Sequence, residues 1–286
     1  MTTLFKEVRK HLHGTYLYPQ GNCHNVAHVA SMVLNKQGVP NRKVWLFSPC
    51  RYKTGAYEAI CLPDPNSITV DGMISWGYHV ATLVEDPLLG ELVYDYFINT
   101  ERPLRLQEWI SIQGLSTYQL RVEPAHNYLF YSESAPDQLE SLFTGEFFRY
   151  EGEALEGEWV AKGLAVNQTA YDFYLEEIKT RPEGQLRYEY QLLVGNINTF
   201  ETIIRDQQEP AELPAGLVQK HHRLLAHYQQ RYEYYLARWR TQLLLLEQPE
   251  MVNWQPEEPR THLPYSWHTN NYVHDDLILS NPMGLN

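Results

Sequence analysis

Two strand-like segments joined by a short turn constrain this chain more than any other feature. SWGYHVATLV and GELVYDYFIN flank the turn EDPLLG. Both alternate in character over a strand-length run, so the pattern predicts an antiparallel hairpin. With the turn centred near Pro87, His79 on the first arm falls nearly opposite Asp95 on the second. Side chains alternate along a strand, so His79 shares a face with Gly77, Ala81 and Leu83, while Trp76, three residues earlier, takes the other face. A strand histidine is ordinarily a core residue. An acid across the hairpin changes that reading: it accepts from one ring nitrogen, fixes the tautomer and leaves the second nitrogen for a third group.

The third group is Cys23. The stretch CHNVAHVASMVLNKQG carries Val26, Ala27, Ala30, Val33 and Leu34 at helical spacing, with Asn22 placed to cap it and Gly38 to stop it. Cys23 therefore opens a helix. The start of a helix offers partial positive charge and free backbone N–H groups, which favour a thiolate and can hold an oxyanion. Cys50 follows a proline at a strand end and Cys61 lies in the apolar run AICLP, so both read as packed residues. Helix-borne Cys, then His on a strand, then an acid on the next strand, is the order of papain-like enzymes.

The rest of the chain is read more coarsely. Residues 3–12 are a predicted helix, KVWLFSP a strand, RPLRLQEWISIQG a helix, and 118–131 two strand pieces around Pro124. The acidic stretch EGEALEGE reads as a solvated loop or hairpin. Beyond it TAYDFYLEEIKT, RYEYQLLVGNINTFETIIRDQ and a run from Leu217 to Glu247 are helical, the last with a broad apolar and aromatic stripe. The tail from Pro249 has little periodicity and reads as irregular. The expected fold class is therefore α+β: a Cys-bearing helix packed on an antiparallel sheet, followed by a mostly helical region. The expected division is a catalytic domain over 1–135, a helical accessory region over 136–248 and a tail over 249–286.

Composition narrows the function. A net charge of −12 over 286 residues repels nucleic acid and anionic membranes. Three cysteines make no disulfide framework, and no spacing fits a zinc motif. His24 and His28 stand four apart on the Cys helix but lack a third ligand, so no metal and no cofactor is expected. His262, His268 and His274 with Asp275 and Asp276 read as a polar tail. MTTLFKEVRKHLHG has charges where a signal peptide needs an apolar core, and no apolar run reaches membrane-spanning length. The expected location is a cytosol, or outside it by a route without a cleaved signal, as for effectors.

At motif level, GNCHNVAHVASMVL, WGYHVATLV and LVYDYFIN resemble the bacterial protein-glutaminase family, which deamidates glutamine side chains in proteins. The correspondence runs through Gly21, Cys23, Ala27 and His28, then Trp76, Tyr78, His79, Val80 and Ala81, then Asp95, and covers roughly residues 5–130. The resemblance implies a papain/transglutaminase-like core with Cys23 as nucleophile, His79 as general base and acid, and Asp95 as its orienter. It implies a protein or peptide substrate carrying glutamine, attacked through a thioester. Gln20 and Asn22 are candidates for the oxyanion site, and Trp76 and Tyr78 for the acyl groove. Three other outcomes fit the same triad: acyl transfer to an amine, as in amide synthesis from a carrier protein; peptide cleavage; and a relic without catalysis. The helical region could recognise substrate, bind a partner or chaperone, or cover the sheet.

Overall fold

The computed structural model describes residues 2–20, 23–51, 55–69, 71–125, 127–131, 146–149, 154–182, 184, 187–188, 221–238 and 260–262. Two helices open the chain, α1 (Thr2–Leu12) and α2 (Cys23–Lys36). Strands come next: β1 (Asn41–Phe47), β2 (Ile60–Pro63), β3 (Met73–Trp76), β4 (Tyr78–Asp86), β5 (Gly90–Tyr94) and β6 (Leu104–Arg105). Then come α3 (Leu106–Ile112), β7 (Gln119–Pro124), β8 (Asn127–Tyr131), β9 (Glu146–Arg149), α4 (Ala154–Phe173) and α5 (His221–Arg238). A strand β10 (Arg260–His262) comes last.

Six strands form one antiparallel sheet in the order β10-β7-β1-β4-β5-β6, while β2–β3 and β8–β9 are separate ribbons. The hairpin read from the sequence is β4–β5, with Thr82 facing Tyr94 and Asp86 facing Gly90. That register is two residues off the one expected: Asp95 comes just after the end of β5, diagonal to His79 on the same side rather than directly across from it.

Helix α2 is buried from Asn25 to Leu34, on every side and not along one stripe. It lies between the sheet, where it meets β1 and β4, and the helices α1 and α4. A helix enclosed in this way needs small or apolar residues all round, which explains Val26, Ala27, Ala30 and Ser31. Thr82 of β4 locks it to the sheet, its hydroxyl donating to the Ala27 carbonyl at 2.9 Å. At the other end Gly38 adopts φ +68, so that Gly38 N–H reaches Asn35 O and Val39 N–H reaches Leu34 O. This paired closure needs a left-handed residue, which is why a glycine stands there.

The two sheet faces carry different cores. Trp45, Phe47 and Val80 face α2 together with Ala27, and Cys23 and Tyr78 pack on them. Val44, Leu46, Ala81, Leu83 and Val93 face the other way, against Trp109 and Ile110 of α3. Helices α4 and α5 join α1 and α2 in a third cluster, where Val160, Leu164 and Phe173 meet Phe5, Val8 and Met32.

Three elements differ from the sequence expectation. EGEALEGE is not a loop throughout: from Ala154 it is α4, because acidic residues suit a helix N-terminus as well as they suit solvent. The helix expected from TAYDFYLEEIKT ends in a π-helical turn, Tyr174–Ile178. The tail read as irregular supplies β10, which satisfies backbone groups along the edge of β7. Most of the tail, the second expected helix from about 189, and Gly21 and Asn22 lie outside the described residues.

Candidate active site

Cys23 is the first residue of α2, partly exposed, at the start of a helix that is buried from Asn25 to Leu34. The leading backbone N–H groups of a helix have no partner within it, so donors are concentrated around the thiol. His79, the second residue of β4, is fully buried, and Asp95 is 3% exposed. His79 Nε2 donates to Asp95 Oδ2 at 2.6 Å. The other ring nitrogen, Nδ1, is buried and makes no hydrogen bond of ordinary geometry. The Cys23 thiol acts on the same ring, and both its hydrogen-bonding and its charge favour a protonated imidazole. Thiol and imidazole come from opposite faces of the sheet and meet at the start of β4, where the strand ends.

Asp95 is held from four directions. Trp109 Nε1 donates to Oδ2 at 2.6 Å, the same oxygen that accepts from His79. Backbone N–H groups of Phe97 and Ile98 donate to Oδ1 at 3.0 and 3.3 Å. An acid placed just after a strand, with its side chain turned onto the next residues in this way, has its carboxylate fixed in plane and direction. Burial alone would raise its pKa, but His79, Trp109 and the Phe97 N–H hold it below the ordinary carboxylate value. Burial also works against a charged imidazole. The Asp95 carboxylate outweighs it, with Cys23 in the same direction, and holds His79 at about 10. Both shifts favour the imidazolium–carboxylate form of the pair.

Trp76 is placed differently from its sequence reading. Its indole stacks on the His79 ring, with centroids 4.6 Å apart and planes 7° from parallel. The strand breaks at Gly77, so Trp76 ends β3 and the two-residue alternation does not carry across to β4. Gly77 leaves room for Arg51: a Cβ there would run into the Arg51 side chain, which would have to shift. The Arg51 guanidinium in turn sits 5.5 Å from the centroid of the Tyr78 ring. Tyr78 stays on the α2 face against Trp45 and Phe47.

Gln20 is buried, and its Nε2 donates to Asp64 Oδ2 at 3.0 Å. Asp64 also accepts from the backbone N–H groups of Asn66, Ile68 and Thr69. Gln20 thus ties the 64–69 loop to the approach to Cys23. His28 Nδ1 accepts from the buried Lys43 Nζ at 2.7 Å, and burial with the Lys43 charge holds His24 at about 3. Both histidines of the Cys helix serve its packing. Burial pushes the thiols of Cys50 and Cys61 up, which disfavours their thiolates. Trp109 is the site residue that the sequence did not single out. Its helical segment was legible, but nothing local marks which side chain reaches Asp95.

Residues 1–113, which contain every one of these side chains, match the family model described as Glutaminase. The match covers less than half of the chain. Among solved structures, the chain is similar to the protein-glutaminase of Chryseobacterium proteolyticum, determined by NMR. That protein is 15% identical, with a TM-score of 0.41 over 65% of this chain and 91% of that one. A crystal structure of protein-glutaminase gives 14% identity and a TM-score of 0.40, over 63% of this chain and 90% of that one. No curated protein sequence matches the chain. Among the described residues no helix is long and apolar enough to cross a membrane.

Proposed function

We propose that this protein is a hydrolase that deamidates glutamine side chains of proteins, with Cys23 as nucleophile, His79 as acid and base, and Asp95 as the orienter of His79. The observation that carries the proposal is the buried His79–Asp95 hydrogen bond of 2.6 Å beside a thiol that opens a helix, within a segment that matches a glutaminase family.

In this reading the thiolate of Cys23 adds to the side-chain amide carbon of glutamine. The carbonyl oxygen becomes an oxyanion, and the backbone N–H of Cys23, unpaired within α2, is the donor nearest to hand. Asn22, one residue earlier, remains a candidate for a second donor, whereas Gln20 serves by fixing the loop through Asp64. His79, held protonated by Asp95, gives its proton to the departing nitrogen. The C–N bond breaks, ammonia leaves and a thioester remains. Water then attacks the thioester, neutral His79 takes its proton, and collapse releases glutamate and the thiolate. The stacked indole of Trp76 covers one face of the imidazole, so that the ring meets substrate from the thiol side.

The test is ammonia release from a glutamine-containing peptide at neutral pH. The intact chain releases ammonia and leaves glutamate, and Cys23→Ala does not. Peptide cleavage without ammonia release, or amide formation with an added amine in preference to hydrolysis, would overturn the deamidase reading.

A further inference from the structure

The carboxylate that orients His79 is shared. Oδ2 of Asp95 accepts from His79 Nε2 and from the indole N–H of Trp109, each at 2.6 Å, while Oδ1 is occupied by two backbone N–H groups. Trp109 is fully buried in the core under the sheet, and its ring lies 5.9 Å from the His79 ring at 25°. The indole is therefore fixed by packing, not by its bond to Asp95. A large aromatic residue could fill this core without a polar atom, and a buried N–H needs an acceptor to be tolerated. Here that acceptor is the one oxygen whose basicity decides how firmly the imidazole keeps its proton.

We infer that Trp109 is a positioning residue of the reaction: its N–H holds Asp95 Oδ2 in the line of His79 Nε2 and shares the negative charge of that oxygen. The inference rests on the catalytic reading of Cys23, His79 and Asp95. Such a role has two consequences. The carboxylate cannot rotate away from the imidazole while both of its oxygens are bound. The acid limit of activity also depends on Trp109, because loss of a donor to a carboxylate makes that carboxylate easier to protonate. Among the described residues, the leading titratable groups that bear on the pair are its own two members and Cys23 from α2. Helix α3 contributes the uncharged indole, and the residues after β5 contribute backbone N–H groups only.

Trp109→Phe in the full chain keeps an aromatic ring and removes the donor. A charge-assisted hydrogen bond of this kind changes rates by about 10- to 100-fold. The expected result is a fall of that order in kcat, KM within a factor of about two of the parent, and an acid limb of the kcat/KM profile displaced to higher pH. The proton on His79 Nε2, expected far downfield in the NMR spectrum of the parent because its bond to Asp95 is short, shifts in the variant. If the smaller ring prevents folding, β-(3-benzothienyl)alanine at position 109 provides an indole isostere without the N–H, and the same three measurements apply. An acid limb and an Nε2 proton that both stay in place, in a folded variant, refute the positioning role. Failure of the catalytic reading looks different: Cys23→Ala keeps full ammonia release, while the Nε2 proton still responds to the change at 109.

Discussion

At the scale of single residues, the site is decided by what surrounds one carboxylate. Asp95→Asn keeps the shape of the acid but removes the charge that raises His79, so burial is left to favour the neutral imidazole. We expect kcat for ammonia release to fall by about 10²- to 10⁴-fold, the range seen when an oriented acid–base residue is lost. The same pair also imposes a pH window on stability. His79 is raised from 6.5 to about 10 in the folded chain, so its contribution is fully present below about 6.5 and fades as pH rises through about 10. Asp95 is lowered, so its contribution is present above its unfolded pKa of 3.8 and is lost only as pH falls through the folded value. Urea unfolding of the parent should therefore weaken between pH 7 and 10, and Asp95→Asn should lack that slope. Much of this was legible in the sequence because the hairpin is local: 16 residues separate His79 from Asp95, and the turn fixes their side of the sheet. Trp76 was not legible in the same way, because the strand it belongs to stops at Gly77. Trp109 was silent because its contact depends on how α3 docks, which no local pattern encodes.

At the scale of elements, the position of the proposed nucleophile, Cys23, is that of α2. Its start and stop were readable from Cys23 and Gly38, since caps are local chemistry. Its burial on both sides was not, because the second covering layer comes in part from a helix more than a hundred residues away. The anchor to the sheet is one hydroxyl: Thr82 donates to Ala27 O and lies 3.3 Å from Ser31 Oγ. Thr82→Val keeps the volume and leaves the carbonyl of Ala27 and the hydroxyl of Ser31 with one fewer partner. We expect about 1–2 kcal/mol of lost stability, measured by chemical denaturation. Activity should fall more than stability alone explains, because the helix that aims the thiol is released from β4. The outcome that would sink this account is a variant that is less stable yet fully active at saturating substrate.

At the scale of the whole molecule, the end of α5 is clamped onto the end of α1. Arg238 donates to His11 Nδ1 at 2.9 Å and also to His13 Nε2, and Tyr234 meets the same His13. Both histidines must be neutral to accept. Burial and then the Arg238 charge lower both, His13 to about 4. A histidine lowered on folding stabilises the fold above its unfolded value of 6.5 and stops doing so as pH falls through the folded value, here about 4. Acidification from neutral to pH 4 should loosen α5 from α1, tracked by the emission of a probe at the end of α5, and Arg238→Met should flatten that response. Helix α2 lies inside these layers, between sheet and helices. The amides of its buried stretch, Asn25 to Leu34, should be among the slowest in the chain to exchange. The machinery around Cys23 then has no separate melting step. Heat inactivation and global unfolding should superimpose, with no activity lost ahead of the main transition.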